Sequence, residues 1–225
     1  MPIPLIRLRK VDSTQDFLER HPELGCCGVM ADCQLSGHGQ RDNRWESASD
    51  AGLWLSASLP VITSLQPGLV LQRAMSAVSA VLEIYGVSLG LKWPNDLVAW
   101  KLGSLVKLGG ILGKVKGDRM IIGVGVNIWS APVILGRDIH PACLKEINPN
   151  LNQALTTTSL ALAILENWEN LAVEQWKPGF YWPTVGDTIS FGGGEGICEG
   201  WLPDGCLAVR TVSGIYRILV DANKR

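Results

Sequence analysis

Several short stretches of the chain gather residue types that hold anions and place a reacting group. In residues 36–45, SGHGQRDNRW, Gly37 and Gly39 permit positive backbone dihedrals and close approach of a ligand to main-chain N–H groups. Arg41 and Arg44 add charge for a phosphate or carboxylate. The alternative is a solvated surface loop, but about 18 residues separate its start from the next apolar strand, and loops of that length tend to be functional or disordered. LKWPNDL, at 91–97, sets Lys92, Asn95 and Asp96 around a proline turn, where polar side chains converge on a ligand or satisfy the turn backbone. In VKLGGIL, at 106–112, Lys107 stands in an otherwise apolar strand before Gly109 and Gly110, either snorkelling or pointed at an anion. GVGVN, at 123–127, ends in Asn127, whose amide offers donor and acceptor faces to a base edge or sugar.

The chain has no Gly-x-x-x-x-Gly-Lys-Ser/Thr loop, no Gly-x-Ser-x-Gly elbow and no His/Asp pair at useful spacing, so covalent catalysis by its own side chains is not expected. What remains is a cationic, glycine-rich site able to hold two substrates in line and neutralise phosphate charge. With a formal net charge of -1 and a pI near 6.3, no broad basic field exists for nucleic acid, so an anion site must be local.

The elements that must position these residues follow from the hydrophobic pattern. At 225 residues and 47% hydrophobic, the chain buries one sizeable core and a small second unit. PLIRLRKV reads as a first strand, with Asp12 or Ser13 capping a short helix through Phe17 and Leu18. GVMADCQ is a second strand entering the glycine-rich loop, and GLWLSASL is a third leaving it. Leu71, Met75, Val78, Leu82 and Tyr85 recur at helical spacing, so the spacing predicts an amphipathic helix from 65 to 85 closed by Gly86. VSLGLKW, LVAW, LVKLGGILGKV and RMIIGVGVNIW read as strands, and no strong period marks 129–152. A capped helix is expected from about Thr158 to Gln175. After KPGFYWP the pattern changes to short strands and turns, with GGGEG as a hairpin turn, giving a small all-β unit that needs the main domain for support.

The opening MPIPLIRLRK is too short and charged for a signal-peptide core, and no apolar run approaches the roughly 18 to 20 residues of a membrane span, so a cytoplasmic protein without membrane contact is expected. Six cysteines, at 26, 27, 33, 143, 198 and 206, form no Cys-x-x-Cys pair and read as buried free thiols, not as a zinc site or disulfide framework.

Taken together and in order, DSTQ at 12–15, Q-x-x-G-x-G at 34–39 followed by Trp45, KWPNDL at 92–97, KLGGIL at 107–112 and GVGVN at 123–127 resemble the biotin protein ligase family. The unit after Pro183 resembles that family's C-terminal domain. The resemblance implies an α+β fold: a class II aminoacyl-tRNA synthetase-like catalytic domain, with a mixed sheet and flanking helices, over 1–183, and an SH3-like β-barrel over 184–225. It implies that biotin and MgATP form biotinyl-5′-adenylate and pyrophosphate, after which a lysine of a carrier protein attacks the mixed anhydride. The partners would be biotin, ATP and the biotin carboxyl carrier protein of acetyl-CoA carboxylase, with Mg2+ arriving on ATP and no metal held by the protein.

By the same resemblance, Ser13, Thr14 and Gln34 would bond the ureido head of biotin, with Gln15, Gly37, His38, Gly39, Lys107 and Gly110 completing its site. His38, Gly39, Gln40, Arg41, Trp45, Asn95, Asp96, Lys107 and Asn127 would surround ATP and the adenylate, and Lys107 and Arg41 would be catalytic. Lys107 is chosen over Lys101, which begins the near copy KLGSL, because Gly110, Ile111 and Leu112 complete the motif. Gln40 and His38 stand where many members carry arginine, which implies a looser grip on the adenylate. No helix-turn-helix segment precedes the first strand, so the ligase-only class is expected. The rival readings are a lipoate or octanoate transferase, which would want apolar lining where Ser13, Thr14 and Gln34 stand, and a degenerate biotin- or carrier-binding module without turnover.

Overall fold

The computed structural model describes all residues except 1, 41–42, 135, 137–138, 152–154, 172–178, 192–193, 203 and 219–225, with the backbone alone for 215–218. In chain order the first half comprises β1 (Leu5–Leu8), α1 (Thr14–Arg20), β2 (Cys27–Ala31), β3 (Gln34–His38), β4 (Arg44–Ser47), β5 (Gly52–Pro60) and α2 (Pro67–Glu83). It continues with β6 (Gly90–Lys92), β7 (Asp96–Lys101), β8 (Ser104–Lys116), β9 (Arg119–Asn127), β10 (His140–Pro141), α3 (Leu144–Ile147) and α4 (Thr157–Trp168). The last strands are β11 (Phe180–Trp182), β12 (Thr188–Phe191), β13 (Gly194–Trp201), β14 (Leu207–Thr211) and β15 (Gly214–Ile218).

A mixed sheet in the order β1-β2-β5-β9-β8-β7-β6-β11, with β10 alongside β8, carries the fold. The β1–β2, β6–β11 and β8–β10 pairs are parallel and the other neighbours antiparallel. Strand β5 shows how the sheet is partitioned. Its Leu53, Leu55, Ala57 and Leu59 join the main core with Val70, Leu71, Val78 and Leu82 of α2 and Leu160 and Ile164 of α4. The alternate residues Trp54, Ser56 and Ser58 must face the other side, because successive side chains on a strand point oppositely. On that side α1 closes only part of the surface, through a cluster of Leu18, Cys27, Val29 and Ile121.

The long stretch between β2 and β5 is not an open loop. It folds into a separate two-stranded ribbon in which Gln34 lies opposite Ser47, Gly37 opposite Trp45 and His38 opposite Arg44. The apolar alternation that marks half-buried strands is missing here, and Leu35 is 51% exposed. GVMADCQ therefore divides between β2 and β3 instead of forming one strand. α2 occupies 67–83, within the expected span, with Pro67 at its first turn and Gly86 beyond its end at φ 72°. α4 begins on a Thr156 capping box and ends at Trp168, shorter than the expected helix to Gln175, with Asn167 and Asn170 contributing weak helix formers at that end. Gln175 lies outside the described residues. The segment without a sequence period holds β10 and the one-turn α3.

Strands β12 to β15 form a four-stranded antiparallel sheet in sequential order. Phe191 pairs with Gly194, and Gly194, Glu195 and Gly196 of GGGEG begin β13, while 192–193, on which the expected turn falls, lie outside the described residues. Trp93, from the turn between β6 and β7, packs against the cluster of Cys198, Leu207 and Val209 in this sheet and donates its indole N–H to Gly205 O at 3.3 Å. All six cysteines are free thiols, and Cys26 is exposed, contrary to the expectation of burial, because it lies just before β2 enters the sheet. No helix among the described residues is long and apolar enough to cross a membrane.

Candidate active site

The uncovered sheet face collects most of the chemistry-bearing residues. On β9, Gly123, Gly125 and Asn127 occupy alternate positions and share this face. The two glycines are needed for close approach. A Cβ on Gly125 would lie 2.6 Å from Cε2 and Nε1 of Trp45, and one on Gly123 would lie 2.8 Å from Cδ of Gln15. The indole of the ribbon and the amide of the first helix are thereby laid onto the sheet. Gln15 donates from Nε2 to Leu112 O at 2.9 Å, and Trp45 meets Trp54 edge-on with ring centroids 6.2 Å apart.

Next to β9, a bulge in β8 between its pairings with Val98 and Leu97 turns Leu108 into the core and leaves Lys107 on the open face. Lys107 Nζ lies 2.5 Å from Asp96 Oδ1 and 5.6 Å from the centre of the Trp45 ring. Lys92 Nζ lies 3.5 Å from the other Asp96 oxygen. Two cations against one carboxylate leave a net positive charge, suited to an incoming carboxylate or phosphate. Gly110 forms the floor: a Cβ there would sit 3.7 Å from Asp96 Oδ1 and 3.8 Å from Lys107 Cε. Lys101 is elsewhere, beside the Leu102-Gly103 hairpin turn and paired with Glu146, whose carboxyl it holds below the usual carboxylate range.

Asn127 is 2% exposed and donates from Nδ2 to Ala142 O at 3.1 Å, while its Oδ1 has no partner among the described residues. The buried Nε1 of Trp45 also lacks one. Unpaired buried polar atoms are costly, and a pair of them on one open face is what a ring with hydrogen-bonding edges would satisfy. The β10 segment that holds Asn127 is itself tied to β8 through Ala142 N to Lys107 O at 2.8 Å. Burial pushes the neighbouring Cys143 thiol above its ordinary pKa.

At the other end, Ser13 caps α1 by accepting from Asp16 N at 3.4 Å, and Thr14 donates to Gln34 Oε1 from both its backbone N, at 2.8 Å, and its hydroxyl, at 3.1 Å. Two serines missed by the motif reading complete this end: Gln34 Nε2 donates to Ser47 Oγ at 2.8 Å, and Thr14 Oγ1 meets Ser56 Oγ at 2.7 Å. The alternation of leucine and serine in GLWLSASL was the signal that a polar side chain faced the open side.

Not every expected residue points into the cleft. Asn95 is buried with Nδ2 donating to Ile111 O at 2.8 Å, so it braces the turn against β8. His38 is directed at Asp16, with Nε2 to Oδ2 at 2.6 Å, and ties the ribbon to α1. Gly39 N donates to Asn43 O at 2.7 Å, and Gln40 O accepts from Asn43 N at 3.1 Å, shaping the ribbon's end. Arg41 lies outside the described residues. Among those described, no group of three or more His, Cys, Asp or Glu gathers as a metal site.

The fold and site define a mixed α+β protein whose sheet face carries a hydrogen-bonded polar end and a lysine–carboxylate cluster. Residues 9–127 match the model of the Biotin/lipoate A/B protein ligase family, and the chain belongs to that family. It is 32% identical over 133 residues to the bifunctional ligase/repressor BirA of Bacillus subtilis, a match covering 56% of this chain and 38% of that protein. It is 31% identical over 113 residues to the biotin--[acetyl-CoA-carboxylase] ligase of Mycobacterium tuberculosis, covering 46% of this chain and 40% of that one. These matches thus span about two fifths of the relatives' own lengths. The fold is shared with the Aquifex aeolicus biotin protein ligase solved in complex with biotin and ATP, at TM-score 0.76, 24% identity and 96% coverage of both chains.

Proposed function

We propose that the protein activates biotin with MgATP to biotinyl-5′-AMP and transfers the biotinyl group to a lysine of a biotin carboxyl carrier protein of acetyl-CoA carboxylase. The observation that carries this reading is the pair of unpartnered buried atoms, Trp45 Nε1 and Asn127 Oδ1, on the same sheet face as Lys107. An adenine edge would satisfy them while Lys107 neutralises the reacting carboxylate and α-phosphate oxygens. In the first step a carboxylate oxygen bonds to the α-phosphorus as pyrophosphate leaves. In the second, the carrier amine bonds to the acyl carbon, loses a proton and expels AMP. Both steps depend on alignment and charge neutralisation, which the cluster supplies without a nucleophilic side chain.

The roles of Ser13, Thr14, Gln15 and Gln34 at the biotin head, of Gly37, His38, Gly39, Gln40 and Arg41 in the ribbon closing over the adenylate, and of Asn95 and Asp96 toward the phosphate end belong to the same proposal. Mg2+ enters with ATP as part of the substrate. The proposal also takes 1–183 as the catalytic domain, 184–225 as an SH3-like domain, and the cytoplasm as the site of action. The Mycobacterium tuberculosis relative named as a biotin ligase and the Aquifex aeolicus complex with biotin and ATP support it. The test is biotin-dependent exchange of labelled pyrophosphate into ATP by the pure protein. Exchange is expected at saturating biotin and MgATP. Its absence, with biotin still bound, would indicate a binding module, and exchange driven by octanoate or lipoate instead would indicate an acyl ligase of different specificity.

A further inference from the structure

Ser47 and Ser56 lie outside the motifs, yet they close a hydrogen-bond network whose direction is fully determined. The backbone N–H of Thr14 can only donate, so the Gln34 atom 2.8 Å away is its carbonyl oxygen, and the amide orientation follows. Gln34 Nε2 therefore faces Ser47 Oγ, at 2.8 Å, and donates to it. The Thr14 hydroxyl spends its single proton on Gln34 Oε1, at 3.1 Å. It must then accept from Ser56, whose Oγ is 2.7 Å away. Gly37 stands over this network, where a Cβ would fall 2.9 Å from Gln34 Nε2 and 3.0 Å from Ser47 Oγ.

We propose that Ser47 and Ser56 are positioning residues that set the donor and acceptor polarity of the head-group end of the cleft. The proposal rests on the ligase reading above and extends it to what selects the acid. With Ser47 holding one Nε2 proton of Gln34 and Ser56 holding one lone pair of Thr14, the network leaves the second Nε2 proton of Gln34 as a donor and the remaining Thr14 lone pair as an acceptor. A cyclic urea, with a carbonyl oxygen between two N–H groups, presents the complementary set. An aliphatic acyl chain satisfies none of these atoms and would leave them buried and unpaired. Ser47 acts through Gln34 and Ser56 through Thr14, and both are buried, at 5% and 0% exposure.

The experiment compares the full chain with Ser47→Ala, Ser56→Ala and the hydroxyl-retaining Ser47→Thr, by pyrophosphate exchange and by calorimetric binding of biotin, desthiobiotin and ATP. Desthiobiotin keeps the cyclic urea and lacks the thioether. Each alanine is expected to weaken biotin and desthiobiotin by the same factor, about tenfold, as loss of one oriented hydrogen bond implies. The KM for ATP and kcat stay unchanged, and Ser47→Thr recovers most of the biotin affinity. Unchanged biotin affinity in both alanine variants, or parallel losses of biotin and ATP affinity, overturns the proposal. A wild-type chain that binds biotin without exchange refutes the ligase reading alone, and the calorimetric comparison then decides this one. A wild-type chain that binds no biotin overturns both.

Discussion

Lys107→Ala separates the catalytic reading of the cluster from a structural one. In the folded protein Lys107 Nζ sits 2.5 Å from Asp96, and Lys92 lies 3.5 Å from the other carboxylate oxygen. Removing Lys107 therefore leaves Asp96 with a cation beside it. Because the Lys107 side chain is 30% exposed, the lost pair is screened and the folding cost is held to about 1 kcal/mol or less. The effect on reaction is larger. A cation about 4 Å from a developing negative charge contributes about 4 kcal/mol at an effective dielectric near 20. That corresponds to about a thousandfold in rate. Pyrophosphate exchange should fall by about that factor with an unchanged thermal midpoint, whereas Lys101→Ala, which breaks only the peripheral pair with Glu146, should retain at least about half the activity. Equal activity in Lys107→Ala and wild type, or loss on changing Lys101 instead, would refute the placement of the reacting charge at Lys107.

Gly125→Ala forces the Trp45 ring off the sheet, since the new Cβ would fall 2.6 Å from Nε1. The KM for ATP should rise at least about tenfold while calorimetric biotin affinity changes by less than about twofold, and a rise confined to biotin would show that Trp45 serves the other ligand. Gln40→Arg adds a cation near the end of the ribbon without disturbing the bonds to Gln40 O, and rapid-quench measurement of adenylate release should show it slowed about fivefold; an unchanged release rate would remove charge at this position as the cause of a looser grip. Trp93→Ala empties the contact between the active-site turn and the four-stranded sheet, and denaturant unfolding should lose about 3 kcal/mol, with a change below 1 kcal/mol arguing against the packing described.

The parts of the molecule that were readable from sequence are those where one physical signal dominates. The α2 spacing of Leu71, Met75, Val78 and Leu82 places them together in the core, and β5, β8 and β9 are strong apolar runs. Lys107 stood out because a lysine in such a run needs an outlet. The β3–β4 ribbon is not legible because it stays off the main sheet, its main chain bonding beyond itself to the Val11–Asp12 segment, and leaves Leu35 and Ser36 exposed, so no alternation is imposed on them. Ser56 had a signal in the leucine–serine alternation of GLWLSASL, whereas Ser47 becomes informative only when its partner Gln34 is known. For Asn95 the sequence leaves open ligand contact or bracing of the turn, and in the structure its amide nitrogen donates to Ile111 O. The turn's link to the C-terminal sheet through Trp93 is likewise invisible in the sequence, since that tryptophan sits in a proline turn and packs across about a hundred residues of chain.

The most direct test of the central claim is intact-mass analysis of an isolated biotin carboxyl carrier domain incubated with the pure protein, biotin and MgATP, together with direct detection of biotinyl-5′-AMP. One biotinyl group on the carrier lysine, absent when that lysine is replaced by arginine or when Lys107 is replaced by alanine, is the predicted result. Neither adenylate nor modified carrier at saturating substrates would contradict it.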